Sequence, residues 1–121
     1  MAKEQSNQSK IIKWFIKIGG TAITGNFPTG EADIQAGYPY NGRLYNVMIE
    51  TKKEYEYNYL MSGLKLVNGV YEIVDETKLK DHEHLQIFKL NNVRKRGGLA
   101  LLAYSVEQII EYIDEELHNA D

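Results

Sequence analysis

The sequence predicts an α/β fold of the α+β type, in which a central mixed β-sheet is flanked by helices. Three features predict it: an amphipathic first helix, two Asn-Gly dipeptides that each lie between strand-like segments, and an apolar strand followed by a capped last helix. The predicted order is helix, three strands, an inserted β-hairpin, helix, strand and helix.

The first element is a helix, because apolar residues recur at helical spacing while lysines, among them Lys13 and Lys17, lie on its other side. The apolar positions are Ile11, Trp14, Phe15 and Ile18. Gly19 and Gly20 are expected to end the helix, and a short strand over 21–24 and a loop over 25–30 follow.

A β-hairpin over 33–52 organises the rest of the chain. Asn41-Gly42 favours the positive φ angles of a type I′ turn, which makes Tyr40 face Arg43 and Asp33 face Glu50. Lys52 shares the face of Glu50, whereas Ala32, Ile34, Val47 and Ile49 form an apolar face. A bulge is also expected at Gly37 and Pro39, because proline cannot donate to the ladder, and it would shift this register by one.

Residues 53–60 alternate polar and aromatic, which predicts a strand or extended arm with Tyr55, Tyr57 and Tyr59 on one face. These rings could pack the insertion onto the core, stack on bases or contact a protein. Asn68-Gly69 predicts a second hairpin between 64–67 and 70–74.

Residues 81–96 predict a helix whose buried stripe contains Leu85, Phe88 and Val93. His82 and His84 are interpreted as surface residues, because they diverge on a helix and no third ligand is evident. The helix ends in Arg94-Lys95-Arg96 before two glycines, an apolar strand over 99–104 follows, and Ser105 and Gln108 form the capping box of the last helix.

Length and composition limit the classes of protein to which this chain could belong. The 121 residues suit one domain, 1–121, and the absence of cysteine excludes disulfides and thiolate metal sites. No apolar run is long enough to span a membrane, so no membrane partner and a cytoplasmic location are expected. A net charge of −3 argues against a generally basic surface that coats nucleic acid, although local basic patches can still follow a phosphate backbone.

Asp33 and Glu50 are the candidate metal ligands. Opposed residues of an antiparallel pair have Cβ atoms about 4.5–5.5 Å apart, and like charges at that distance are destabilising. A divalent cation would offset the repulsion, since Mg²⁺ is held by one or two carboxylates together with waters and phosphate oxygens.

Asp33 followed by Glu50-Thr51-Lys52 resembles the D…(D/E)-x-K signature of the PD-(D/E)XK nuclease superfamily. Gly30-Glu31-Ala32-Asp33 stands where that superfamily often has Gly-x-Pro-Asp. The ending, a basic helix, Gly-Gly, an apolar strand and a Ser-x-x-Gln helix, resembles the small phage and bacterial VRR-NUC domains. The resemblance covers nearly the whole chain except an insertion at about 53–80.

The resemblance implies a restriction-endonuclease-like fold and a metal-dependent DNA endonuclease, structure-specific for branched or junction DNA in phage-type replication, repair or recombination. Asp33, Glu50 and the Thr51 carbonyl would then hold Mg²⁺ or Mn²⁺, and Lys52 would orient a water or stabilise the transition state. Gln86 matches a superfamily glutamine near the metal. DNA contacts are expected from basic residues: Lys13, Lys17, Lys89, Arg94, Lys95 and Arg96.

The family often has a metal-binding glutamate on the first helix, and Gln8 aligns with it, with Glu4 one turn earlier as a substitute. The resemblance also implies a homodimer, encoded by a phage or a bacterium. Two alternatives stay open. The first is a nuclease fold that binds DNA or protein without catalysis, which Gln8 favours, and the second is a phage-type inhibitor or adaptor acting through its acidic surface and tyrosines.

Overall fold

The computed structural model describes residues 3–24 and 33–118, with the backbone alone for 3–6. The helices are α1 Lys3–Lys17, α2 Glu54–Met61, α3 Asp81–Lys95 and α4 Val106–Ile113. The strands are β1 Thr21–Thr24, β2 Ile34–Tyr40, β3 Arg43–Thr51, β4 Leu64–Val67, β5 Val70–Ile73 and β6 Leu99–Ala103. A 3₁₀ turn, Glu76–Lys78, precedes α3, and a π-helical turn, Asp114–His118, continues α4.

The main sheet has four strands in the order β1-β2-β3-β6. Its β3–β6 pair is parallel and the other two pairs are antiparallel, so the predicted mixed sheet is confirmed. Strands β4 and β5 form a separate antiparallel hairpin with Asn68-Gly69 at its turn, as predicted.

The register of the β2–β3 hairpin also agrees with the sequence. Asn41 and Gly42 have φ angles of 52° and 78°, and pairing runs without interruption from Tyr40–Arg43 to Ile34–Ile49. The predicted bulge is wrong. Pro39 and Leu44 form a non-hydrogen-bonded pair, so the Pro39 nitrogen points away from β3. It points to the side of β1, whose pairing with β2 starts at Gly37 and does not reach Pro39.

The strand predicted over 53–60 is wrong, because these residues form α2. Glu56 accepts a hydrogen bond from the Lys53 backbone N–H, which caps the helix, and Leu60 is buried at 1% exposure. A helix separates the three tyrosines that a strand would have aligned. Tyr57 packs on Tyr104, while Tyr55 and Tyr59 stay largely exposed.

Hydrophobic clusters lie on both faces of the sheet. Helices α1 and α4 cover one face, where the fully buried residues include Phe15, Ile34, Val47 and Ile109. Helix α3 and the β4–β5 hairpin cover the other face, around Leu60, Tyr71, Leu90 and Leu102. The sheet therefore lies between helices on both of its faces.

The helix predicted over 81–96 is confirmed, but its predicted buried stripe is confirmed only at Val93, which is half-buried against the core. Leu85 and Phe88 are 37% and 59% exposed, whereas Glu83, Ile87 and Leu90 are buried. Apolar residues occur on several sides of α3, so their spacing along the helix does not show which side faces the sheet. The contacts with the sheet decide it.

Three predicted features lie outside the described residues: the loop over 25–30, the position of Ala32, and the side chain of Glu4. Across 3–24 and 33–118, no helix has the length and apolar character that crossing a membrane requires.

Candidate active site

The candidate site lies where β2 begins and β3 ends. The β2–β3 pairing ends at Ile34–Ile49, so Asp33 directly precedes the paired part of β2 and Glu50 directly follows Ile49 on β3. Glu50 is only 3% exposed. Strand β6 supports this edge from the other side, since the Lys52 N–H donates to the Ala103 carbonyl at 3.0 Å. The parallel neighbour thus fixes the backbone of Glu50, which pairs with Leu102.

Asp33 is held in place by a single threonine. Its Oδ2 atom accepts hydrogen bonds from the Thr51 backbone N–H at 2.9 Å and from the Thr51 hydroxyl at 2.8 Å. Thr51 is itself 1% exposed. The two donors orient the Asp33 carboxylate and partly offset its charge.

Helix α1 reaches the same point through Gln8. The Gln8 amide donates to the Thr51 hydroxyl oxygen at 2.9 Å, and that hydroxyl donates to Asp33. The structure therefore joins Gln8 to Asp33 through the Thr51 hydroxyl. An amide brings no negative charge to a cation, so Gln8 acts here as a hydrogen-bond donor.

Lys52 lies between two side chains from the start of α3. Its Nζ atom is 3.2 Å from Glu83 Oε2 and 3.2 Å from Gln86 Oε1. Both Lys52 and Glu83 are 8% exposed, so this ion pair is buried. Gln86 thus contacts the ammonium of Lys52.

Glu83 is the residue that sequence reasoning missed. A signal was present: Glu83 precedes Gln86 by three residues, so both lie on one face of a helix. Its Oε1 atom also accepts the Lys80 backbone N–H at 2.8 Å, which caps α3. Glu83 lies between His82 and His84, which are the residues of this segment that the sequence analysis weighs as metal ligands.

The protonation state of Glu83 suits the ion pair. Burial raises the pKa of the Glu83 carboxyl, but the Lys80 backbone hydrogen bond and the Lys52 ammonium together lower that pKa by more. The net effect is a pKa below the ordinary value. Glu83 is therefore ionised at neutral pH and pairs with a charged Lys52.

The donor set suits a hard divalent cation, although it is small. Asp33 and Glu50 stand at the same end of the β2–β3 hairpin, and one or two carboxylates agree with the way proteins bind Mg²⁺. Within the described ranges, no cluster of three or more His, Cys, Asp or Glu side chains is assembled for a metal. Waters and substrate oxygens would have to complete the coordination.

The predicted DNA-contacting residues do not form one patch. Lys13 and Lys17 are exposed on α1, and Lys95 and Arg96 are exposed at the end of α3, on the opposite face of the sheet. Lys95 lies nine residues beyond Gln86, about 14 Å along the helix axis. Lys89 is half-buried on the same helix.

Arg94 has a structural role. Its guanidinium donates to the carbonyls of Ala100 and Gly69, at 2.6 and 3.1 Å, and lies over the rings of Tyr71 and Tyr112. These contacts join α3 to β6 and to the β4–β5 hairpin. They account for the position of Arg94 without nucleic acid.

This arrangement, a mixed sheet between helices with an acidic pair and a lysine at the strand ends, belongs to the restriction-endonuclease-like class of folds. A solved structure described as a VRR_NUC domain matches the chain with a TM-score of 0.59 and 20% identity, covering 94% of this chain and 97% of that one. No family model matches the sequence, and no curated protein is significantly similar to it. The likeness establishes the fold, and the predicted VRR-NUC-like nuclease fold is confirmed.

Proposed function

We propose that this chain is a divalent-metal-dependent DNA endonuclease that hydrolyses phosphodiester bonds. The observation that carries the proposal is the position of Asp33 and Glu50 at the same end of the β2–β3 hairpin, next to the buried Lys52. The VRR_NUC-like fold supports it, because the three residues lie at the strand ends of the sheet.

Asp33, Glu50 and the Thr51 carbonyl are the groups that would hold Mg²⁺ or Mn²⁺. Such a cation, when bound, polarises a phosphate and lowers the pKa of a bound water. Thr51 has a second function in this proposal: its N–H and hydroxyl hold the Asp33 carboxylate in one orientation.

Lys52 supplies the positive charge. Its ammonium would contact a non-bridging phosphate oxygen and stabilise the charge that develops there during hydrolysis. Glu83 and Gln86 act as positioning residues, because they hold the ammonium by contacts of 3.2 Å at the site edge. A buried, doubly held lysine needs little reorganisation when the substrate arrives.

DNA is the proposed partner, with branched or junction DNA as the preferred form. The exposed Lys95 and Arg96 and the half-buried Lys89 are proposed phosphate contacts on the α3 side, and Lys13 and Lys17 on the α1 side. Arg94 is left out because its guanidinium is engaged within the protein. We also propose a homodimer, for which the exposed Leu85 and Phe88 of α3 offer apolar surface.

A second candidate function is a binding module that has lost catalysis. Gln8 is the specific observation in its favour, because an amide stands where a third carboxylate would strengthen the metal site. The first candidate cleaves DNA, whereas the second binds DNA or protein without cleaving it.

One assay separates them. Wild-type protein and Asp33→Ala are incubated with a panel of labelled branched and linear DNAs in Mg²⁺ or Mn²⁺. The endonuclease proposal expects cleavage by the wild type that Asp33→Ala abolishes. DNA binding by the wild type with no cleavage of any substrate supports the binding module. Equal cleavage by both proteins rejects this site.

A further inference from the structure

A cavity of about 530 Å³ opens beside the candidate active site, between α2 and the 3₁₀ turn that precedes α3. Aromatic, basic and acidic side chains share its lining: Tyr55, Tyr59, Lys78, Lys80, Glu56 and Glu83. All but Glu83 lie within 53–80, the segment that the sequence predicts to be an insertion.

The aromatic residues are placed to contact a ligand. Tyr55 and Tyr59 are four residues apart on α2, so both rings lie on one side of the helix. They are 70% and 55% exposed, so both rings are accessible to a ligand. Flat exposed rings stack on nucleobases of any sequence.

Positive charge lies beside the rings. The Lys78 Nζ atom is 4.7 Å from the centroid of the Tyr59 ring, and Lys80 is exposed at the cavity wall. The two acidic residues of the lining are already engaged. Glu56 accepts the Lys53 N–H, and Glu83 accepts the Lys80 N–H and pairs with Lys52. The two lysines are therefore the charged groups best placed to meet a phosphate.

The cavity and the candidate active site share a wall. Glu83 lines the cavity, and its Oε2 atom is 3.2 Å from the Lys52 Nζ atom. A nucleotide in the cavity and a phosphate at Lys52 would therefore be near neighbours in the same DNA strand.

We propose that this cavity binds an unpaired nucleotide of the DNA substrate, with its base against Tyr55 or Tyr59 and its phosphate at Lys78 and Lys80. The inference rests on the proposed function and deepens it. It assigns the preference for branched DNA to a pocket that a fully paired strand cannot fill, since its bases are stacked within the duplex.

Binding in Ca²⁺, without hydrolysis, tests the pocket. Fluorescence anisotropy compares a blunt duplex with the same duplex carrying a single-stranded arm, and 2-aminopurine in the arm reports stacking. The wild type should prefer the armed DNA and quench the probe. The double variant Tyr55→Ala/Tyr59→Ala should lose about tenfold in affinity for the armed DNA, together with the quenching.

Matched variants isolate the cause. Tyr55→Phe/Tyr59→Phe keeps both rings and should keep the preference. Leu66→Ala removes another exposed apolar side chain, which the cavity lining does not include, and should leave both affinities unchanged. Lys78→Ala should weaken binding of the armed DNA and reduce its dependence on salt by about one counterion.

The proposal is overturned if the wild type shows no preference for the arm, or if Tyr55→Ala/Tyr59→Ala keeps both the preference and the quenching. These outcomes are distinct from failure of the proposed function, which is read in a separate assay. A wild type that cleaves no DNA in Mg²⁺ or Mn²⁺ but shows the tyrosine-dependent arm preference would refute catalysis and leave the pocket established.

Discussion

Removing the carboxylate of Glu83 should strongly destabilise the folded protein. Glu83→Ala leaves the ammonium of Lys52 buried without its counter-ion, at 8% exposure, and also removes the cap on the Lys80 N–H. Breaking a buried pair in this way costs about 3–5 kcal/mol of unfolding free energy. Gln86 still accepts from Lys52, so we expect about 3 kcal/mol, the lower end of that range.

That loss is large enough to measure in two ways. For 121 residues the unfolding entropy is about 0.25 kcal/mol/K, so 3 kcal/mol corresponds to a melting temperature lowered by about 12 °C. Urea unfolding followed by circular dichroism at neutral pH gives the free energy directly. Glu83→Gln is the matched control, because it keeps an oxygen for the Lys80 N–H and removes only the charge.

A double-mutant cycle tests whether the loss comes from the ion pair. Lys52→Met and Glu83→Leu should each destabilise, while the double variant should recover most of the loss, because a buried ion pair can be replaced by apolar side chains at little cost. The reasoning is refuted if Glu83→Ala costs less than about 1 kcal/mol, the low end for an unsatisfied buried group, or if the two substitutions show no coupling.

Three further predictions follow from the same site. The lowered pKa of Glu83 means that its carboxylate stabilises the fold fully above the ordinary pKa of 4.5 and loses this effect as the pH falls through the lower pKa of the folded state. In urea unfolding, the free energy by which the wild type exceeds Glu83→Gln should therefore shrink below pH 4.5, and a difference independent of pH would contradict this. Asp33→Asn and Lys52→Ala should each reduce cleavage at least about 100-fold, because each removes a charge that acts on the reacting phosphate. Circular dichroism should show a retained fold, and cleavage at the wild-type rate in either variant would contradict this prediction. Gln8→Glu adds a carboxylate beside Thr51 and Asp33, so it should lower the melting temperature without metal and enlarge the increase caused by Mg²⁺; an unchanged response to Mg²⁺ would argue against a metal at this position.

The sequence was most informative where a local rule determines the backbone. Asn41-Gly42 fixes a turn type, and the turn fixes every pair back to Ile34–Ile49, so the pairing that brings Asp33 and Glu50 to the same end of the hairpin could be predicted. Glycines 19 and 97, with φ angles of 88° and 82°, likewise follow α1 and α3 where helix ends were predicted.

The failures occur where tertiary contacts outweigh local pattern. Alternating glutamates and tyrosines over 53–60 imitate a strand, but Leu60 is buried by forming a helix. On α3 the buried face is set by Ala100 and Leu102 of the strand beneath it, which spacing within the helix cannot show. Glu83 was missed for the same reason, because its partner Lys52 is 31 residues away in the sequence.

The central claim is that Asp33 and Glu50 together hold a divalent cation. Titration of Mn²⁺ followed by electron paramagnetic resonance tests it most directly, because bound and free Mn²⁺ give different signals and no catalysis is needed. We expect one Mn²⁺ per chain in the wild type and in Lys52→Ala, and a loss of this site in Asp33→Asn and in Glu50→Gln. Equal Mn²⁺ binding by the wild type and both carboxylate variants would contradict the claim.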